Sequence, residues 1–348
     1  MYYVLLILAF YGVCNNKCYS FTNNKIYTIL MYLILVITSA FRYNTGTDFS
    51  TYTSMILYYK SGIEVSWVNY EPGFIFLNLI LSKLTESGQL LIIVSSFLTL
   101  SLFFYSFIRF SDNIGASIFL FVSLYFYSVS FNLVRQFIAI SIALISIEFL
   151  KKQDIKKYIV CVSIASLFHS TAIVFFLFYF FPKIKWDFSK FIIGSIFTLI
   201  AYLSYDSFAP LLFNIFPKYS IYKESIGGGS VYNIVLLLIC LIMLAYVKIN
   251  SLYDEEDKEM LNVYFSSTII ALFVTVFSIK LVFFARASYN FMVISLFSIP
   301  FCWKKIKGKD LLIFKWGIII FSIVLYIHNV SNNVGGVVPY QLWNFEKI

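Results

Sequence analysis

Residues 41–52 read FRYNTGTDFSTY, a hydrophilic island in a chain that is otherwise almost continuously apolar, and Tyr70-Glu71-Pro72-Gly73-Phe74 follows soon after it. Arg42, Asp48 and Glu71 stand beside apolar runs long enough to enter lipid, where an ionisable side chain is costly unless it faces a cavity or a partner. A functional site is therefore expected here. The runs on either side of it set the fold class.

Of 348 residues, 60% are hydrophobic and only 12% charged, and the mean hydropathy is +0.85. That is far more apolar than a soluble domain of this size. Each crossing of a hydrocarbon core of ~30 Å needs about 20 apolar residues, and the runs suffice for roughly ten crossings. The expectation is an all-α, polytopic integral membrane protein. It forms one membrane domain over residues 1–348, with an outer-face polar loop at 42–88 and a second outer loop at 206–230. The net charge of +9 comes from lysines clustered between apolar runs, as in cytoplasmic loops, so nucleic acid is not a partner. Five scattered cysteines give no metal-ligand spacing. Neither a metal nor another cofactor is expected. Residues 1–13 lack a basic start and a small-residue cleavage site, so a removable signal peptide is not expected.

Taken in order, residues 2–13 and 26–41 are spans, and the island follows. Pro72 suits the first position of a helix. Residues 73–84 would make a helix of only ~18 Å, too short to cross, so it lies in the interface or dips in and out. Residues 90–108 span. Residues 114–150 would form a helix of ~55 Å and must turn back, the weak point being 128–132. On that reading Asn132, Arg135 and Gln136 stand at i, i+3 and i+4 on one helix face. The run 158–181 separates two lysine clusters that both belong in the cytoplasm, Lys151, Lys152, Lys156 and Lys157 before it and Lys183, Lys185 and Lys190 after it. It is therefore expected to re-enter, with His169 at its tip. Further spans fall at 191–205, 231–247, 260–279, 287–303 and 311–328. The acidic run 254–259 suits a helix N-terminus, and Gly227-Gly228-Gly229 reads as a hinge, since it lacks the Lys-Ser/Thr of a phosphate loop. With the lysine clusters inside, the island, Arg286 and the tail come out on the far face.

Arg42, Arg135 and Arg286 are the only arginines besides Arg109 in a chain that otherwise uses lysine for charge. A guanidinium presents a rigid fork to phosphate oxygens that an ammonium does not. The plainer alternative is that each snorkels or pairs with a carboxylate, Arg42 with Asp48 for instance. Asp48 and Glu71 are candidate general bases. Against that, Asp48 would serve only to cap a turn and Glu71 only to favour a helix start.

The ordered set FR-x3-G-x-D-x3-Y (41–52), EPGF (71–74), Asn132-x2-Arg135-Gln136, Phe168-His169-Ser170 and Pro339-Tyr340 resembles the EpsG-type family of O-antigen and capsule polymerases, the Wzy-like membrane glycosyltransferases. The resemblance runs over nearly the whole chain. It implies a GT-C-like fold in a bacterial cytoplasmic membrane. It also implies a reaction that moves a glycan from polyprenyl (undecaprenyl) diphosphate onto a lipid-linked repeat unit at the outer face. The partners would be those lipid-linked oligosaccharides and membrane lipid, with a chain-length regulator and a flippase nearby. On this reading Asp48, Glu71 and His169 are catalytic. Arg42, Gly46, Tyr52, Asn132, Arg135, Gln136, Arg286 and Tyr289 bind substrate, with Tyr52 and Tyr289 stacking on sugar rings. A lone histidine in an apolar run is otherwise a satisfied bundle residue, and His169 gains weight from the Phe-His-Ser match alone. The rivals are a flippase, which would carry internal repeats with midplane sites that the chain lacks, and a ligase of finished chains.

Overall fold

The computed structural model describes residues 1–62, 70–215 and 231–344, so the triple glycine and the end of the second polar loop lie outside the described residues. The described residues are all-α apart from one pair of two-residue strands, β1 (Arg42–Tyr43) and β2 (Gln341–Leu342). Four described helices are long and apolar enough to cross a bilayer. They are α5 (Gln89–Phe110), α13 (Val231–Ile249), α14 (Lys258–Phe277, with the turn before it) and α17 (Gly308–Ser331). Shorter apolar helices accompany them, among them α1 (Tyr2–Cys14), α2 (Lys25–Ala40), α4 (Pro72–Leu84), α6 (Ile114–Ser123) and α11 (Phe188–Leu203). Helices suit lipid because each satisfies its own backbone hydrogen bonds.

Contacts divide the chain into two compact units, residues 1–176 with 315–348, and residues 177–314. In the first, α3 (Phe49–Lys60) and α4 pack on α5 and on α8 (Val134–Lys151) around Tyr52, Met55, Phe74, Leu91, Val134 and Ile138. A second seam is aromatic: Phe103 meets Phe121 at 4.7 Å between centroids and Tyr127 meets Phe131 at 5.0 Å. The long run turns back where expected, through the single turn of α7 (Phe126–Val129). Its second helix, however, begins only at Val134. Asn132 therefore sits in the preceding turn, and it does not share a helix face with Arg135 and Gln136.

α9 (Ile155–Phe168) ends just before His169, and a 3-10 turn (Ser170–Val174) follows. The Tyr158 hydroxyl donates to the Phe175 carbonyl. A straight helix would hold those residues ~25 Å apart, so the chain has reversed direction around His169. α10 (Phe175–Phe178) then leads into the second unit.

That unit holds α11, α12 (Tyr205–Ile215), α13, α14, α15 (Val282–Met292) and α16 (Ser295–Lys305). The acidic run lies at the start of α14 as expected, with the Asp257 carboxylate accepting from the Asp254 amide at 3.3 Å. Lys305 bonds both Asp254, at 2.8 Å, and Asp257. The span expected at 287–303 is two helices, broken at Val293–Ile294.

Candidate active site

Each residue of the Tyr70–Phe74 stretch has a distinct role. Glu71 occupies the N-cap of α4 and Pro72 its first turn, where proline's fixed φ and missing N–H cost nothing. The Glu71 carboxylate does not cap the helix. It accepts from Arg135 Nη1 at 2.5 Å and from the Ser170 amide at 3.0 Å, so it ties α4 to α8 and to the turn after His169. A Cβ on Gly73 would lie 2.7 Å from the Leu167 carbonyl oxygen, and its absence lets the start of α4 rest on the end of α9. Tyr70 and Phe74 flank the guanidinium, with Arg135 Cζ 4.3 Å from the Tyr70 ring centroid and 5.8 Å from that of Phe74.

Arg135 stands in the first turn of α8, where the helix dipole disfavours a cation. Glu71 compensates from across the gap, and the pair is mostly buried, with side chains 22% and 15% exposed. Burial alone would raise the Glu71 carboxyl, but Arg135, the Ser170 amide and His169 outweigh it and hold it below its ordinary value. It is ionised at neutral pH. Burial pushes the Tyr70 phenol up to about 12, with Arg135 opposing, so Tyr70 offers a ring face and a protonated hydroxyl. His169 Nδ1 accepts from the Thr171 amide at 3.2 Å, and a neutral His169 therefore carries its proton on Nε2.

A second cluster forms around the island and the tail. Gly46 and Thr47 donate their amides to the carbonyls of Gly336 and Gly335 at 2.9 and 3.1 Å. Asn132 Nδ2 donates to the Gly335 carbonyl at 2.8 Å, and the Asp48 amide donates to Asn132 Oδ1 at 3.4 Å. The strands pair Arg42 with Leu342 and Tyr43 with Gln341. Tyr340, from the last motif of the resemblance, donates its hydroxyl to the Thr38 carbonyl at 3.0 Å. Asp48 sits at the N-cap of α3 without a capping bond from its side chain, and its carboxylate accepts from Thr47 Oγ1 at 3.1 Å.

Tyr52 joins the two clusters: it is buried, stacks edge-on to Phe74 at 6.0 Å and donates to the Asn132 carbonyl at 3.2 Å. Its ring is covered, whereas Tyr70 is half-buried. Gly46 has φ +100, and a Cβ there would lie 2.6 Å from Asn132 Oδ1. Gly46→Ala should therefore cost more than about 1 kcal/mol, read as a lowered unfolding midpoint. Gly62→Ala, at φ +67 with open space around it, should cost less because it carries the conformational penalty without the collision.

Arg42 does not pair with Asp48. It is 2% exposed, with Nη1 donating to the Ser39 carbonyl at 2.6 Å and to Ser96 Oγ at 3.2 Å, and Nη2 to the Phe131 carbonyl at 3.2 Å. Burial pushes the guanidinium down to about 10, so it remains a cation at neutral pH. Gln136 is buried in α8. Arg286 and Tyr289 lie one turn apart on α15, in the second unit. Sequence reasoning missed Tyr70 and the Ser170 amide, although Tyr70 adjoins Glu71. It also missed Gly335-Gly336, whose only signal is a glycine pair ahead of Pro339-Tyr340.

A mostly buried ion pair, a broken helix and an all-α array of apolar helices define a polytopic membrane protein with a polar site built in one of its units. The chain belongs to the EpsG family, whose model matches residues 25–342. That family comprises Wzy-like polysaccharide polymerases and glycosyltransferases. No curated protein matches the chain, and no solved structure does.

Proposed function

We propose that the chain is a polysaccharide polymerase of a bacterial cytoplasmic membrane. It transfers a glycan from polyprenyl diphosphate to the terminal sugar hydroxyl of a lipid-linked repeat unit at the outer face. The observation that carries this reading is the Glu71–Arg135 pair, set at the start of a membrane helix beside Tyr70 and the His169 turn. In the reaction the bond between the sugar's anomeric carbon and the diphosphate oxygen breaks, and a bond to the acceptor oxygen forms. The acceptor proton passes to a carboxylate. Arg135 would stabilise the charge developing on the leaving diphosphate, and Asp48 would take the proton. Glu71, held ionised by its partners, would orient Arg135. Arg286, near the middle of α15, is a separate candidate for a phosphate contact.

Deleting the gene and resolving surface glycan by gel tests the reading. Single repeat units on the carrier are expected. Loss of all exported sugar would instead identify a flippase, and intact free polymer that is no longer attached to an acceptor would identify a ligase.

The same reading places both termini outside the cytoplasm, with the chain re-entering around His169. Its support is the pair of lysine clusters on either side of that reversal. In a background lacking the exposed Cys14, a membrane-impermeant thiol reagent applied to intact cells should modify Ile215→Cys and spare Asp187→Cys. The opposite pattern would refute this topology.

A further inference from the structure

We infer that the tail after α17 is a clamp that positions Asp48, and that Gly335 and Asn132 are the residues through which it acts. The amides of Gly46, Thr47 and Asp48 precede α3 and donate away from it, each to a distant segment. Gly46 donates to the Gly336 carbonyl at 2.9 Å, Thr47 to the Gly335 carbonyl at 3.1 Å and Asp48 to Asn132 Oδ1 at 3.4 Å. Asn132 Nδ2 closes the ring by donating to that same Gly335 carbonyl at 2.8 Å. Both ends of the Asn132 amide are thus engaged by protein, and its main-chain carbonyl accepts from Tyr52. This makes Asn132 a positioning residue, in place of the substrate contact that its motif implies.

The tail is itself anchored along its length. The Tyr2 hydroxyl of α1 donates to the carbonyl of the buried Val337 at 2.6 Å, and Tyr125, just ahead of α7, donates to the Val334 carbonyl at 2.9 Å. The Trp343 amide donates to the Phe41 carbonyl at 2.8 Å, and the two rings stack. Gly335, at φ +79, is a tight point, since a Cβ there would lie 2.7 Å from Asn132 Nδ2.

Asp48 needs such a hold. It occupies the N-cap of α3, but its carboxylate makes no capping bond, so the helix does not fix it. Thr47 does, because the tail holds its amide while its hydroxyl donates to the Asp48 carboxylate at 3.1 Å. A general base must come within hydrogen-bond reach of the proton it takes, and a misplacement of about 1 Å costs up to about 10²-fold in rate. The clamp is made of neutral groups, so it sets where the carboxylate stands without changing the charge around it. Its loss should therefore appear in kcat and not in KM. The assignment rests on the polymerase reading, in which Asp48 takes the acceptor proton.

The test is steady-state kinetics of the purified full chain on synthetic lipid-linked repeat units, with the unfolding midpoint taken on each sample. Gly335→Ala and Asn132→Ala break the same junction from its two sides. Each should lower kcat by about 10²-fold while KM stays within about twofold of wild type. Should Asn132→Ala fail to accumulate, Gly335→Ala decides alone, since it lies in the tail beyond α17. In an Asp48→Asn background the same substitutions should have no further effect, because the group they place is gone. A rise in KM at unchanged kcat would return Asn132 to substrate binding. A lowered midpoint at unchanged kcat per folded molecule would make the clamp structural only, and losses that multiply with that of Asp48→Asn would give it another target. Each of these overturns the assignment and leaves the polymerase reading standing; a wild-type chain that extends nothing would overturn both.

Discussion

Arg135→Lys is expected to slow chain extension by about 10²–10³-fold, the loss that follows removal of one preorganised donor from an anionic transition state, while the protein accumulates normally. The lysine keeps the charge, and its ammonium can still reach Glu71. It cannot lie flat against Tyr70, where the guanidinium Cζ is 4.3 Å from the ring centroid, while turning a second N–H edge away from Glu71. Only one nitrogen of Arg135, Nη1, is spent on the carboxylate at 2.5 Å. The Tyr52 side chain engages the guanidinium as well, so bridging Glu71 and a phosphate oxygen at once takes the further N–H groups of the fork, which a single ammonium on a flexible stem lacks. The measurement is the initial rate of polymerisation by purified protein on synthetic lipid-linked repeat units, with the unfolding midpoint taken on the same sample. A normal rate from a well-folded variant would show that the fork is not used. A lowered midpoint with rate per folded molecule unchanged would make Arg135 a structural counter-ion to Glu71.

The part of this site that was legible in the sequence is the part written in local chemistry. Ionisable residues beside apolar runs mark themselves, because lipid makes them costly. Pro72 announces a helix start, and a 37-residue apolar run cannot cross once and stay buried. What was not legible depends on pairing between distant segments. Asn132 reads as a helical residue from its spacing to Arg135, yet its side chain is engaged by Gly335, which lies 203 residues away. Nothing near Asn132 encodes that. Arg42 likewise shows a plausible partner six residues on in Asp48, but its terminal nitrogens donate to carbonyl and hydroxyl oxygens on three separate segments. In the second unit, Pro300 suggests a break and sits inside α16, while the chain breaks at Val293–Ile294 without proline or glycine. Tertiary packing sets that boundary against local propensity.

Asp48→Asn is expected to lower the extension rate by about 10²–10⁴-fold, the usual effect of removing a general base, with little change in stability. The structural alternative, that Asp48 caps a turn, predicts the reverse, and the geometry weighs against it. Asp48 occupies the N-cap of α3, but its side chain makes no capping bond. The link to Asn132 is made by its backbone amide, which asparagine keeps. Its one described side-chain bond is the 3.1 Å contact from Thr47 Oγ1, and an amide oxygen can accept that bond as well. Little of the fold therefore depends on the negative charge. Chemistry does, because an asparagine cannot take a proton from an acceptor hydroxyl. Glu71 is poorly suited to that step: Arg135 and the Ser170 amide already occupy its oxygens and favour its ionised form over its protonated one. Asp48 also acts weakly on the Tyr70 phenol, the ring that the Arg135 guanidinium faces. An Asp48→Asn protein that unfolds at the wild-type midpoint and extends chains within about threefold of the wild-type rate, far short of a lost base, would remove Asp48 from the chemistry. Glu71→Gln would then be the variant in which to seek the missing base.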